Sequence, residues 1–139
     1  MTVKEIRYPK AERQLKELLT SNRVDVGYFE GVMHGDGLTV ATIAGYNEVT
    51  RPFMSRAMEQ SEKDIITKFQ KELKKHNYNG SEAMKALGIF LVAQIRQQIM
   101  TSKSWAKPNA PSTIAKKGSS QPLIDTAKML DSADYKVNR

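Results

Sequence analysis

With 139 residues and no cysteine, the chain has the length of one ordinary domain, enough to bury a core without a disulfide framework or a thiolate-held zinc ion. The opening Met1-Thr2-Val3-Lys4-Glu5-Ile6-Arg7 lacks the apolar centre of a signal peptide, and no stretch approaches the roughly 20 apolar residues of a membrane helix. The expectation is a soluble protein, not exported by a signal of its own and with no membrane partner. The formal charge of +7 sits in the two ends: residues 1–23 are net +3, residues 24–102 neutral and residues 103–139 net +4. Such ends favour acidic partners, nucleic acid or acidic protein surface, and read equally well as a solubilising surface.

Pro9 opens a stretch with apolar residues at Ala11, Leu15, Leu18 and Leu19, the stripe of an amphipathic helix over about 9–20 with proline in its first turn. Val24, Val26 and Tyr28 alternate with Asp25 and Gly27, the period of a half-buried strand, and the run Gly31 to Gly37 breaks it. From Leu38 to Val49 the pattern fits a short helix, and its β-branched residues fit a strand nearly as well. Arg51-Pro52-Phe53 punctuates the chain and starts a long helix, in which Met54, Ala57, Met58, Ile65, Phe69 and Leu73 form the apolar stripe and Glu59, Lys63, Lys68, Lys71 and Lys75 the other face.

A turn at Asn77 to Gly80 leads into a second long helix, capped by Ser81 with Glu82 in its first turn and running to about Ser102. Met84, Leu87, Leu91, Ile95 and Ile99, widened by Ile89, Phe90 and Val92, mark it as the most buried element, antiparallel to the helix before it. Residues 103–122 carry Pro108, Pro111 and Pro122, no acid and no periodicity beyond one helical turn at Ser112 to Lys117. That composition buries too little apolar surface to order by itself, so the segment is expected to act in assembly. Asp125 or Thr126 caps a last helix through Leu130, and Tyr135 to Val137 reads as a terminal strand in the same small sheet as Val24 to Tyr28, which could also be the first arm of a hairpin. The fold class expected is α+β: two long antiparallel helices plus short helices, packed on a small, mainly antiparallel sheet in a single domain.

No constellation in the sequence suggests catalysis, a cofactor or a metal. The two histidines, His34 in a glycine-rich turn and His76 at a helix end, have no second ligand at metal spacing, and no nucleophile stands in a recognisable elbow near His34. Gly31, Gly35 and Gly37 match neither phosphate-binding glycine pattern. Thr113-Ile114-Ala115-Lys116 has an acyl-transfer spacing without its partner motifs, and Glu59 with Glu62 reads as ion-pair partners on a lysine-rich face. Trp105, the one tryptophan, either closes the core or anchors a partner.

Three segments resemble, in order, the tail-completion or neck proteins of lambdoid and related tailed bacteriophages. The first runs Ala41 to Met54 and carries Asn47-Glu48 and Arg51-Pro52-Phe53. The second is the helix with Leu87-Gly88 and Ile95 to Ile99. The third is Pro111-Ser112-Thr113-Ile114, Lys117-Gly118, Pro122-Leu123-Ile124-Asp125-Thr126, Met129-Leu130 and Tyr135-Lys136-Val137. Val49-Thr50 stands where that family usually has an aromatic residue and glycine, and Ala127 where it usually has glycine.

The resemblance implies a structural, non-enzymatic subunit of the virion neck, made in the host cytoplasm. It implies assembly as a hexameric ring, or a ring of a multiple of six copies, between portal or adaptor proteins on the head side and tail-terminator or tail-tube proteins, with phage DNA passing through. Asn47, Glu48, Arg51, Pro52, Phe53, Pro122, Leu123, Asp125 and Thr126 would be its structural motif residues. Interface residues are expected at Trp105, Lys107, Ile114, Lys116 and Lys117. The alternative reading of the basic ends is a small DNA-binding protein, and a hydrolase using His34 is the weakest.

Overall fold

The computed structural model describes residues 9–13, 23–33, 37–111, 123 and 128–138. Residues 9–13 are helical, and the remainder of the helix expected over 9–20 lies outside the described residues. The elements that follow are β1 (Arg23–Gly27), α1 (Val40–Thr50), α2 (Phe53–Lys75), α3 (Gly80–Met100), α4 (Ser102–Trp105), α5 (Lys128–Ser132) and β2 (Asp134–Asn138). This is the expected α+β architecture, two long helices with a two-stranded antiparallel sheet in which Val24 pairs with Val137 and Val26 with Tyr135.

The stretch from Leu38 to Val49, open between helix and strand on sequence, is helical. Thr39 caps α1 by accepting a hydrogen bond from the Thr42 amide at 3.2 Å, and the cap outweighs the β-branched residues behind it. Between α2 and α3 the cap is Asn79, not Ser81. Its Oδ1 accepts from the Glu82 amide at 3.1 Å, so the cap falls two residues earlier than expected and Ser81 lies inside the first turn. The reversal itself uses two consecutive residues in the left-handed region, Asn77 (φ 52) and Tyr78 (φ 62), and the Tyr78 amide reaches back to the Leu73 carbonyl at 2.6 Å. Such a closing bond is common at helix ends, but it seldom falls on a tyrosine.

α3 is the spine. Ala83, Leu87, Leu91, Val92, Ile95 and Ile99 are buried on it, facing α2 on one side and the sheet on the other. Ile89, expected in the stripe, points outward and is 60% exposed, because the helical period carries it past both packed faces. Phe53, Ala57, Ile95 and Ile99 are completely buried, and Val40, Ala44, Leu123, Met129 and Ala133 complete the cluster. The Tyr28 ring meets Phe53 edge-on at 6.1 Å, while its hydroxyl donates to the Met129 carbonyl at 2.6 Å. Burial raises the Tyr28 pKa well above its ordinary value, partly offset by Arg96. Arg96 ties the chain's end to the spine by donating to the carbonyls of Leu130 at 3.1 Å and Ala133 at 3.3 Å.

Two helical glycines have opposite surroundings. A Cβ on Gly88 would stand 2.5 Å from the Tyr135 ring, whereas one on Gly45 would meet nothing within 4 Å. Gly88→Ala is therefore expected to destabilise by about 1–3 kcal/mol through overpacking, and Gly45→Ala to stabilise by roughly 0.5–1 kcal/mol through helix propensity. Urea denaturation of the two variants shows the opposed signs, and equal shifts would contradict the packing of Tyr135 on α3.

Glu72 is the one buried carboxylate of the described residues, with Lys68 Nζ and His76 Nε2 each 3.2 Å away. The Lys68 hydrogen bond, followed by the opposing effect of desolvation, holds its pKa below the usual carboxylate range. A depressed pKa stabilises the fold above the unfolded value, and that stabilisation is lost as pH falls through the folded one. Thermal melts between neutral and acid pH are expected to fall less steeply for Glu72→Gln than for the wild type, with the difference confined to the acid range.

Candidate functional site

The elbow between α1 and α2 is held by charged side chains that the backbone itself leaves uncapped. Pro52, at the N-cap of α2, makes no side-chain cap bond. Glu48 instead reaches across from α1, accepting from the Met54 and Ser55 amides at 2.9 Å each, where a negative charge complements the positive end of the helix dipole. Asn47 donates to the Ile43 carbonyl at 3.0 Å and lies 3.8 Å from Met129 Sδ. Arg51 donates from Nε to the Lys107 carbonyl at 2.9 Å and from Nη2 to Asn109 Oδ1 at 3.0 Å. It thereby fastens the start of the proline-rich segment to the elbow.

A buried polar chain adjoins this elbow. Gln98, only 6% exposed, accepts from Arg56 Nε at 3.0 Å and donates to Gln60 Oε1 at 2.7 Å. Its backbone carbonyl takes the Trp105 indole N–H at 3.0 Å, and the Arg56 guanidinium lies 5.0 Å over the Trp105 ring. Between the elbow and this chain lies a cleft of about 310 Å³ lined by Arg51, Arg56, Trp105 and Lys107, with Glu59 as the acid on its wall. Cation–π contact and hydrogen bonding fix the planar guanidinium in place, which suits it to a carboxylate or phosphate.

Beside the cleft, the outer face of α1 is apolar and open. Tyr46 is 66% and Val49 84% exposed, and with Thr50 on the cleft wall they lie on one stripe of the helix. Of the residues of α1, Val40 and Ala44 are buried on its inner side, which leaves Tyr46 and Val49 uncovered on its outer side.

The structure thus gathers Asn47, Glu48, Arg51, Pro52, Phe53, Trp105 and Lys107 at one corner. Leu123 is buried in the core at 4% exposure. Ile114, Lys116, Lys117, Pro122, Asp125, Thr126 and His34 lie outside the described residues. Trp105 packs against the core, the first of its two sequence readings, and also lines the cleft. Sequence reasoning does not single out Arg56, Tyr46 or Val49. Arg56 resembles any cation on a polar helix face, and the available signal for the other two was the missing polar face of α1. Among the described residues no group of three or more His, Asp or Glu is placed to hold a metal ion.

Comparison with protein-family models, with curated proteins and with solved structures found no match.

Glu48→Ala removes the cap of α2 and is expected to cost about 0.5–2 kcal/mol, with Glu48→Gln falling between it and the wild type because the amide oxygen still accepts but carries no charge. Equilibrium denaturation in urea measures both; a neutral Glu48→Ala would place the capping of α2 elsewhere.

Proposed function

We propose that the protein is a structural subunit of the bacteriophage head-to-tail junction, a neck or tail-completion protein that assembles as a ring of six copies or a multiple of six. Its work is docking, and it has no catalytic role. The observation that carries this reading is the corner where the open apolar face of Tyr46 and Val49 adjoins the cationic cleft of Arg51, Arg56 and Lys107. Interface centres are enriched in tyrosine, tryptophan and arginine, the residue types gathered here. A ring needs a heterologous contact, one patch seated on a different patch of the next copy, and an acidic, partly apolar surface of a neighbouring copy, portal or adaptor protein fits this corner.

The sequence resemblance to tail-completion proteins supplies the biological setting. It falls on the same corner, since Asn47, Glu48 and Arg51 to Phe53 build the elbow that shapes the docking face. The assembled protein belongs to the virion neck, with tail-terminator or tail-tube proteins on its other side.

Native mass spectrometry and negative-stain imaging of the purified protein are expected to show closed rings. Val49→Glu, on a side chain already in water, is expected to leave the melting temperature unchanged and to abolish the rings. Rings unchanged in Val49→Glu would move the docking face elsewhere, and a wild-type protein that stays monomeric at every concentration, alone and with portal or tail proteins, would overturn the reading.

A further inference from the structure

Residues 24–102 are neutral in sum, yet the fold separates their charges along α2. The N-terminal half of the helix exposes Glu59, Glu62 and Asp64, whereas from Ile65 through the turn to Asn79 the only acid is Glu72, which is buried and paired with Lys68 and His76. Lys71, Lys74 and Lys75 are all exposed, and their spacing i, i+3, i+4 in the last turns of the helix sets them on one face. None of the three lysines has an ion-pair partner among the described residues. The nearest exposed acid beyond the turn, Glu82, is engaged by Lys85 at 3.1 Å.

This arrangement opposes the stability of the helix. Like charges three and four residues apart repel, and although Lys74 and Lys75 gain from the negative end of the helix dipole, Lys71 lies a turn farther in, where that effect has faded. Tyr78, in the turn that follows, is held at φ 62 and is 44% exposed. Its ring walls a cleft of about 280 Å³ with Gln70, Leu73 and Lys74. A tyrosine in the left-handed region is backbone strain, of the kind that clusters at ligand clamps and switch regions.

We propose that this cationic pole at the α2–α3 turn is a nucleic-acid contact: Lys71, Lys74 and Lys75 hold phosphates of duplex DNA without regard to sequence, and Tyr78 packs against the sugar edge. Charge complementarity selects the occupant. Flexible, strongly hydrated ammonium groups on an exposed ridge suit a phosphate backbone. Ile66 and Tyr78 are the exposed apolar groups near this pole, whereas the centre of a protein interface is depleted in lysine, so three adjacent lysines favour the phosphate backbone over an acidic protein surface. The inference goes beyond the docking reading and rests on different residues.

The test is fluorescence anisotropy of a labelled 30-base-pair duplex titrated with the full chain at several salt concentrations between roughly 50 and 200 mM. The triple variant Lys71→Gln, Lys74→Gln, Lys75→Gln is expected to bind more than tenfold more weakly at the lowest salt and to lower the log–log salt slope by about 2–3, near 0.9 for each phosphate left unneutralised. Its melting temperature stays at or above that of the wild type. A control triple at exposed cations elsewhere, Lys10→Gln, Arg13→Gln, Lys103→Gln, is expected to retain most of the affinity.

The proposal is overturned if the wild type does not bind the duplex, if the pole variant binds with the wild-type slope, or if the control variant loses as much. It is also overturned if a poly-glutamate peptide of equal charge competes as well as unlabelled duplex, since the occupant is then acidic protein. Native mass spectrometry of the wild type and the pole variant keeps the two readings apart: wild-type rings that do not bind the duplex sink this inference alone, DNA binding by a wild type that never forms rings sinks the docking reading alone, and the pole variant is expected to keep its rings while losing the duplex.

Discussion

The two-sided burial of α3 is the constraint on which the other elements depend. Ile95 and Ile99 are completely buried, and the helix meets α2 on one side and the β1–β2 sheet on the other. A two-stranded sheet is marginal alone in water and needs a helix to pack against. It approaches α3 closely because Gly88 offers no side chain beneath Tyr135. Arg96, one helical face around, binds the carbonyls of residues 130–133, so the chain's last elements are secured to the spine by packing and hydrogen bonds together.

Once α3 is fixed, α2 becomes a rigid rod with chemically opposite ends. Its N-terminus is capped by Glu48 and borders a cleft in which Arg51 and Arg56 are already engaged by the subunit's own carbonyls and amides. Its C-terminus carries exposed lysines. At about 1.5 Å per residue the two regions lie roughly 30 Å apart, far beyond the Debye length of about 8 Å at physiological ionic strength. They act as separate surfaces.

The difference in cation type matters as much as the distance. Arg56 is held by Gln98 and stacked on Trp105, so little conformational freedom remains to be lost when a partner's carboxylate arrives, and preorganisation of this kind favours specific association. The lysines of the C-terminal pole are solvated and mobile along their stems, which suits a partner read by charge alone.

Local periodicity and chain punctuation by themselves determined both long helices, the break at Arg51-Pro52-Phe53 and the strands around Val24 and Tyr135, whereas their direct antiparallel pairing came from the structure. In each, one face must leave water and the spacing of apolar residues reports which. The family resemblance pointed to Asn47, Glu48 and Arg51 without saying what those side chains do. Tertiary structure alone decided that α1 is a helix, because its sequence suits either state and the Thr39 cap and core packing of Val40 and Ala44 arbitrate. It decided that Asn79 caps α3, that Ile89 faces water, and that Trp105 belongs at once to core and cleft. It also exposed what a neutral sum concealed: charges average to zero along a sequence, whereas burial of Glu72 and the helical period remove one sign from a surface and leave the other.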